Sequence, residues 1–190
     1  MLIHSYKISS VNGPGDRFVL WTQGCSKGCK NCFNPETWNK QSDIRLSPRE
    51  IFEIIKNFEI DGITLTGGDP LEQDDILELL MLLKELDLRK GIILFTGFTI
   101  DEIKTDYLLL KCLDYIDVLI DGRYEDNLRI SSGLRGSENQ NIIYFSDKIK
   151  PEELRFDHMV EIGYFNGELS ATGFPYIDKK YLKEFGIKMR

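Results

Sequence analysis

The feature that most constrains this 190-residue chain is the alternation of short apolar runs with helix-forming segments along most of its length. Runs at residues 18–23, 62–66, 92–96, 116–121 and 142–145 predict strands. Between them lie segments with helical periodicity. Ser47, Pro48 and Glu50 form a capping box with proline at the first helical position, and Ile51, Ile54, Ile55 and Phe58 supply one apolar face. A second helix is expected over residues 74–86, and a third from the Thr99/Glu102 capping box to about Leu113. This spacing implies βα units, a parallel sheet and right-handed crossovers. An eight-stranded barrel takes ~250 residues. The expected fold is therefore α/β: a partial (βα) barrel of about five or six parallel strands with outer helices.

The tail reads differently. Residues 159–165 and 168–172 flank Asn166-Gly167, a pair suited to a type I′ hairpin turn, and a short helix is expected over residues 178–185. The expected organisation is a core over residues 1–146 and a hairpin-and-helix appendage to the same domain over 147–190.

Charge narrows the partners. There are 24 basic and 31 acidic residues, a net of −7, and no basic run of the kind that marks nucleic-acid binding. No window approaches ~18 uninterrupted apolar residues, so no membrane span is expected. The N-terminus lacks the basic start and apolar stretch of a signal peptide, which points to a cytoplasmic protein.

In βα folds, ligands sit at the carboxyl ends of the strands. Four unusual loops fall there: residues 23–38, Gly67-Gly68-Asp69-Pro70, Thr96-Gly97-Phe98 and Asp121-Gly122. The first carries Cys25, Cys29 and Cys32, clustered as metal ligands are in proteins kept reduced. Thiolates suit zinc or an iron–sulfur cluster, and the spacing alone leaves both open. A closed zinc site needs four ligands. Cys112 reads as a small buried hydrophobe, and His4 and His158 lack ligand spacing. Three ligands on a cubane would leave one iron open for chemistry. Arg17 and Arg135 read as members of structural or surface salt bridges.

Cys25-x3-Cys29-x2-Cys32 resembles the cluster loop of the radical S-adenosylmethionine superfamily. The flanking strings Gly13-Pro14-Gly15-Asp16-Arg17, Trp21-Thr22-Gln23-Gly24 and Phe33-Asn34-Pro35-Glu36-Thr37-Trp38 are similar to those of the small activating enzymes of anaerobic ribonucleotide reductase. The likeness continues through Gly67-Gly68-Asp69-Pro70-Leu71, Thr96-Gly97-Phe98, residues 117–122 and residues 135–140.

That resemblance implies a 4Fe-4S cluster on Cys25, Cys29 and Cys32, with S-adenosylmethionine on the fourth iron. Reductive cleavage would yield a 5′-deoxyadenosyl radical that takes hydrogen from a glycine of a large glycyl-radical enzyme. It also implies that Gly67, Gly68 and Asp69 lie by the methionine amino group and that Asn31 and Phe33 flank the adenine. Thr96 and Asp121 are further cofactor-contact candidates, and a flavodoxin or ferredoxin would donate the electron. Asn31 stands where many superfamily members carry an aromatic residue, with Phe33 following the last cysteine. Two other readings stay open at the sequence: the same chemistry on a different peptide or small molecule, and a non-catalytic zinc or electron-transfer protein.

Overall fold

A computed structural model describes residues 1–154, 159–165, 168–173, 184 and 187–189. The chain opens with β1 (Leu2–Ser9), antiparallel to β2 (Arg17–Thr22), while β3 (Ile44–Arg45) pairs with the outer edge of β1. From β2 onward the sheet turns parallel: β4 (Gly62–Gly67), β5 (Ile92–Phe95) and β6 (Val118–Asp121) follow side by side. Helix α1 (Pro48–Ile55) joins β2 to β4, α2 (Ile76–Leu83) joins β4 to β5, and α3 (Ile100–Thr105) and α4 (Tyr107–Cys112) join β5 to β6. A small hairpin, β7 (Arg129–Ser132) and β8 (Arg135–Ser137), then precedes β9 (Asn141–Tyr144). The seven-stranded order is β3-β1-β2-β4-β5-β6-β9.

This mixed α/β sheet corrects the sequence expectation of five or six parallel strands: four are parallel. The run at residues 142–145 does form a strand, but β9 is antiparallel to β6. A parallel return needs a crossover that spans the sheet, usually a helix. Here the connection folds into its own hairpin, so the chain comes back beside β6 in the opposite sense.

Both expected capping boxes form. The Ser47 hydroxyl accepts from the Glu50 N–H at 3.3 Å and the Glu50 carboxylate accepts from the Ser47 N–H at 2.8 Å; Thr99 and Glu102 repeat the exchange. The helix expected to run on to Leu113 is instead broken at Asp106. That residue is extended (φ −111°, ψ 120°), and its carboxylate caps α4 by accepting from the Leu108 and Leu109 N–H groups.

The helices cover one face of the sheet. Ile51, Ile55, Leu79, Leu80, Leu83 and Ile103 pack there on Phe18, Leu20, Ile63, Leu65, Leu94 and Leu119. Full burial of each such side chain contributes roughly 1.5–3 kcal/mol. Cys112 lies in the same core, as expected for a buried hydrophobe, with its thiol directed to the Leu108 carbonyl. Ile93, Val118 and Ile120 point to the other face, where Leu134, Ile149 and Leu154 meet them. Strands buried on both faces explain the near-continuous apolar runs in the sequence.

In the tail, β10 (Val160–Phe165) and β11 (Glu168–Gly173) pair antiparallel, as the hairpin reading requires. A third strand, β12 (Ile187–Met189), lies parallel to β11 and has no counterpart in the sequence reading. The expected Asn166-Gly167 turn, and the expected helix at residues 178–185 apart from helical Glu184, lie outside the described residues. The hairpin is tied to the N-terminal part of the chain. Asn12 Nδ2 donates to Thr172 Oγ1 at 3.2 Å, and Lys7 pairs with Glu161 at 3.1 Å.

Candidate metal and cofactor site

The carboxyl ends of β2, β4, β5 and β6 face one cavity with about 940 Å³ of free space, part of it open to solvent. Cys25, Cys29 and Cys32 line it together with Phe33, Gly67, Gly68 and Thr96. The Cys32 sulfur accepts from the Asn34 N–H at 3.4 Å, and the backbone at Lys27 and at Tyr124 favours the thiolates of Cys25 and Cys29. Such donors stabilise thiolate and tune the potential of a cluster bound there. Without a metal, burial pushes the Cys25 thiol up to about 11 and raises that of Cys29. These are not activated nucleophiles. Ligation to a metal is the step that draws their protons off.

Thiolates ~2.3 Å from one tetrahedral zinc stand roughly 3.8 Å apart. Among the described residues, the three cysteine sulfurs do not come within 4.8 Å of one another as a group. They line one cavity. The donors that do lie within 4.8 Å are Cys25, Asp69 and Glu72. Both carboxylates there are already engaged.

Asp69, fully buried, accepts from Thr96 Oγ1 at 2.8 Å, Gly97 N–H at 3.0 Å and Leu71 N–H at 3.1 Å. Burial raises its carboxyl to about 6 against the pull of those donors. Glu72 accepts from the Ser26 hydroxyl at 2.7 Å and the Ser26 N–H, and pairs with Lys27 at 3.4 Å. Lys27, only 8% exposed, also lies 3.2 Å from the centre of the Phe98 ring. Glu72 and Lys27 thus pin the loop between Cys25 and Cys29 to the loops after β4 and β5.

The glycine loop is set by close approach. Gly67 has φ +101°, and a Cβ there would lie 2.6 Å from the Thr22 nitrogen. A Cβ on Gly68 would collide with the Gly24 carbonyl oxygen. Backbone bonds from Gly68 N–H to Thr22 O (2.8 Å) and from Asp69 N–H to Gly24 O (3.0 Å) lock the two loops together. Only glycine permits this contact beneath the cysteines.

Three expected site residues do not line the cavity. Asp69 is underneath it. Asp121 is buried and accepts from the Ile100 N–H at 2.6 Å and from both Asn141 nitrogens, tying β6 to α3 and β9. Asn31 donates to Asp126 Oδ2 at 2.6 Å.

A family described as a 4Fe-4S single cluster domain matches residues 11–143. An anaerobic ribonucleoside-triphosphate reductase-activating protein of Enterobacteria phage T4 is 38% identical over 143 residues, which cover 72% of this chain and 89% of that protein. This chain belongs to the family of anaerobic ribonucleoside-triphosphate reductase-activating proteins. Members from Pasteurella multocida (36% identical; 76% of this chain, 97% of that protein) and Escherichia coli K12 (33%; 71% and 92%) align over similar lengths. Among solved structures, QueE from Escherichia coli superposes with a TM-score of 0.45 at 20% identity, over 51% of this chain and 52% of that one.

In this reductase-activating family member, Lys27 and Tyr124 line the cavity without having been singled out in the sequence, whereas Gly136 and Gln140 belong to the string at residues 135–140 that carries the resemblance. Lys27 is the one cation lining the cavity among the described residues, and Tyr124, Gly136 and Gln140 line it from the segment after β6. The position of Lys27 inside the cysteine loop was the available signal. For Tyr124 there was none, because its ring contact with Phe33 joins segments about half the chain apart. No helix among the described residues is long and apolar enough to cross a membrane.

Proposed function

We propose that this chain is the radical-generating activase of an anaerobic ribonucleotide reductase, with Cys25, Cys29 and Cys32 as the protein ligands of its 4Fe-4S cluster. The observation that carries this reading is the convergence of three thiols on one cavity that Gly67 and Gly68 also line. When bound, the cluster and S-adenosylmethionine supply one-electron cleavage of a sulfonium and hence a hydrogen-abstracting radical. The chain's own task is positioning. Gly67 and Gly68 let backbone approach the methionine end of the ligand, and Phe33 offers an aromatic face toward the adenine. Thr96 is oriented by Asp69. Asp69, Asn31 and Asp121 act through the neighbours they hold.

The hydrogen donor is a glycine of the large reductase subunit, which reaches the cavity through its open side. A small one-electron carrier such as flavodoxin or ferredoxin reduces the cluster, and the reaction belongs to the cytoplasm. Residues 1–146 carry this chemistry, and 147–190 are an appendage of the same domain.

Anaerobic reconstitution, reduction and addition of S-adenosylmethionine should release 5′-deoxyadenosine and methionine. Adding the anaerobic reductase should produce a glycyl doublet in EPR. A cluster-loaded chain that cleaves nothing with any reductant contradicts the reading. Cleavage with no doublet redirects it to another substrate.

A further inference from the structure

Beyond Gly122 the chain runs back over the second half of the cysteine loop and touches it at three points. The Tyr124 backbone favours the Cys29 thiolate. The Tyr124 ring meets Phe33 edge-on, with 5.0 Å between ring centres. The Asp126 carboxylate is shared: Oδ2 accepts from Asn31 Nδ2 at 2.6 Å, and Oδ1 accepts from the Tyr124 hydroxyl at 2.8 Å.

Asn31 lies between Cys29 and Cys32 with φ +56°, the left-handed region that L-residues avoid. Asparagine tolerates it when its short side chain finds a hydrogen bond. Here one partner, Asp126, is 95 residues away in sequence. The turn between the two cysteines is closed by the Cys32 N–H on the Cys29 carbonyl at 3.1 Å, and its left-handed residue is held in addition by a long-range contact. Gly136 closes the arrangement: a Cβ there would lie 3.0 Å from the Phe33 ring and 3.1 Å from that of Tyr124.

We infer that Asp126 is a positioning residue of the cluster site: by gripping Asn31 and Tyr124 at once it fixes the left-handed turn between Cys29 and Cys32 and seats the Phe33–Tyr124 pair against the cavity. The inference rests on reading the three cysteines as iron ligands. The loop after Cys25 is pinned instead by Glu72, through Ser26 and Lys27. The two halves of the cysteine loop are thus braced by different parts of the fold, the first by the β4 and β5 loops and the second by the segment after β6.

The test compares wild type, Asp126→Ala and Asp126→Ala/Asn31→Gly after identical anaerobic loading with iron and sulfide. It reads iron per folded chain, the rate at which a chelator strips the iron, and the EPR signal of the reduced cluster with and without S-adenosylmethionine. Asp126→Ala should lose iron about tenfold faster and show an altered signal, as expected when an outer partner of a ligand loop is removed. The double variant should recover most of the wild-type rate and signal, because glycine adopts φ near +56° without strain. Equal rates and signals in wild type and Asp126→Ala overturn the inference. So does a defect that Asn31→Gly leaves uncorrected. Should Asp126→Ala fail to fold, Asp126→Asn serves the same comparison, since an amide keeps the shape but accepts through one oxygen only. A wild-type chain that takes up no iron overturns the reading of the cysteines and the inference with it, whereas a loaded wild type isolates the role of Asp126.

Discussion

Arg17 shows how far a residue's surroundings decide its role. As a charged residue in a glycine-rich string near the N-terminus it reads as a salt-bridge partner, yet it makes no ion pair among the described residues. It is fully buried at the start of β2, at the opposite end of the strands from the cysteines. Its guanidinium donates to the carbonyls of Pro14, Ile63, Lys90 and Gly91 and to the Thr64 hydroxyl. Burial lowers its pKa to about 9, with Asp117 and Asp61 opposing the shift. One side chain thus satisfies the entrances of three parallel strands. Arg17→Met removes every donor and leaves buried carbonyls without a partner, at ~1–3 kcal/mol for each one stranded. Unfolding in urea should show a loss of about 3 kcal/mol or more. Iron uptake per folded chain should be unchanged. A variant of wild-type stability would show that the clamp is not needed.

At the scale of elements, the start of α3 joins a cap to an ion pair. The Glu102 carboxylate accepts from the Thr99 N–H at 2.8 Å and pairs with Arg123 at 3.0 Å. The Arg123 guanidinium, then the Thr99 N–H, hold its carboxyl down at about 2. A folded-state pKa below the unfolded one contributes stability above the unfolded value, near 4.5, and loses it as pH falls toward 2. Glu102→Gln should therefore be less stable than wild type at pH 7, by no more than about 1 kcal/mol because both partners are largely exposed. The difference should shrink below pH 4.5 and vanish near pH 2 in urea titrations. A difference that does not depend on pH would assign the effect to shape rather than charge.

Capping boxes of this kind are local, which is why both were legible in the sequence. So were the strands buried on both faces and the three-cysteine loop. The break at Asp106 was hidden inside an apolar periodicity that runs through it. β1 was missed because only Ile3 and Ser9 along it are buried, leaving no clean alternation. In the site, Gly67 and Gly68 announced themselves as a loop, but their reason lies in the backbone of Thr22 and Gly24. The Asp126–Asn31 bond joins residues that no local pattern relates.

For the whole molecule, one arrangement accounts for the rest: helices cover one face of a mixed sheet, and the cavity opens at the strand ends where the three thiols gather. The central claim is that Cys25, Cys29 and Cys32, and not Cys112, hold a four-iron cluster. Iron and acid-labile sulfide counted per chain after anaerobic loading, for wild type and each single Cys→Ala variant, test it most directly. The account predicts about four of each in wild type and in Cys112→Ala, with loss in the other three variants. A colourless chain that binds one zinc, or a full iron count that survives loss of Cys25, Cys29 or Cys32, would contradict it.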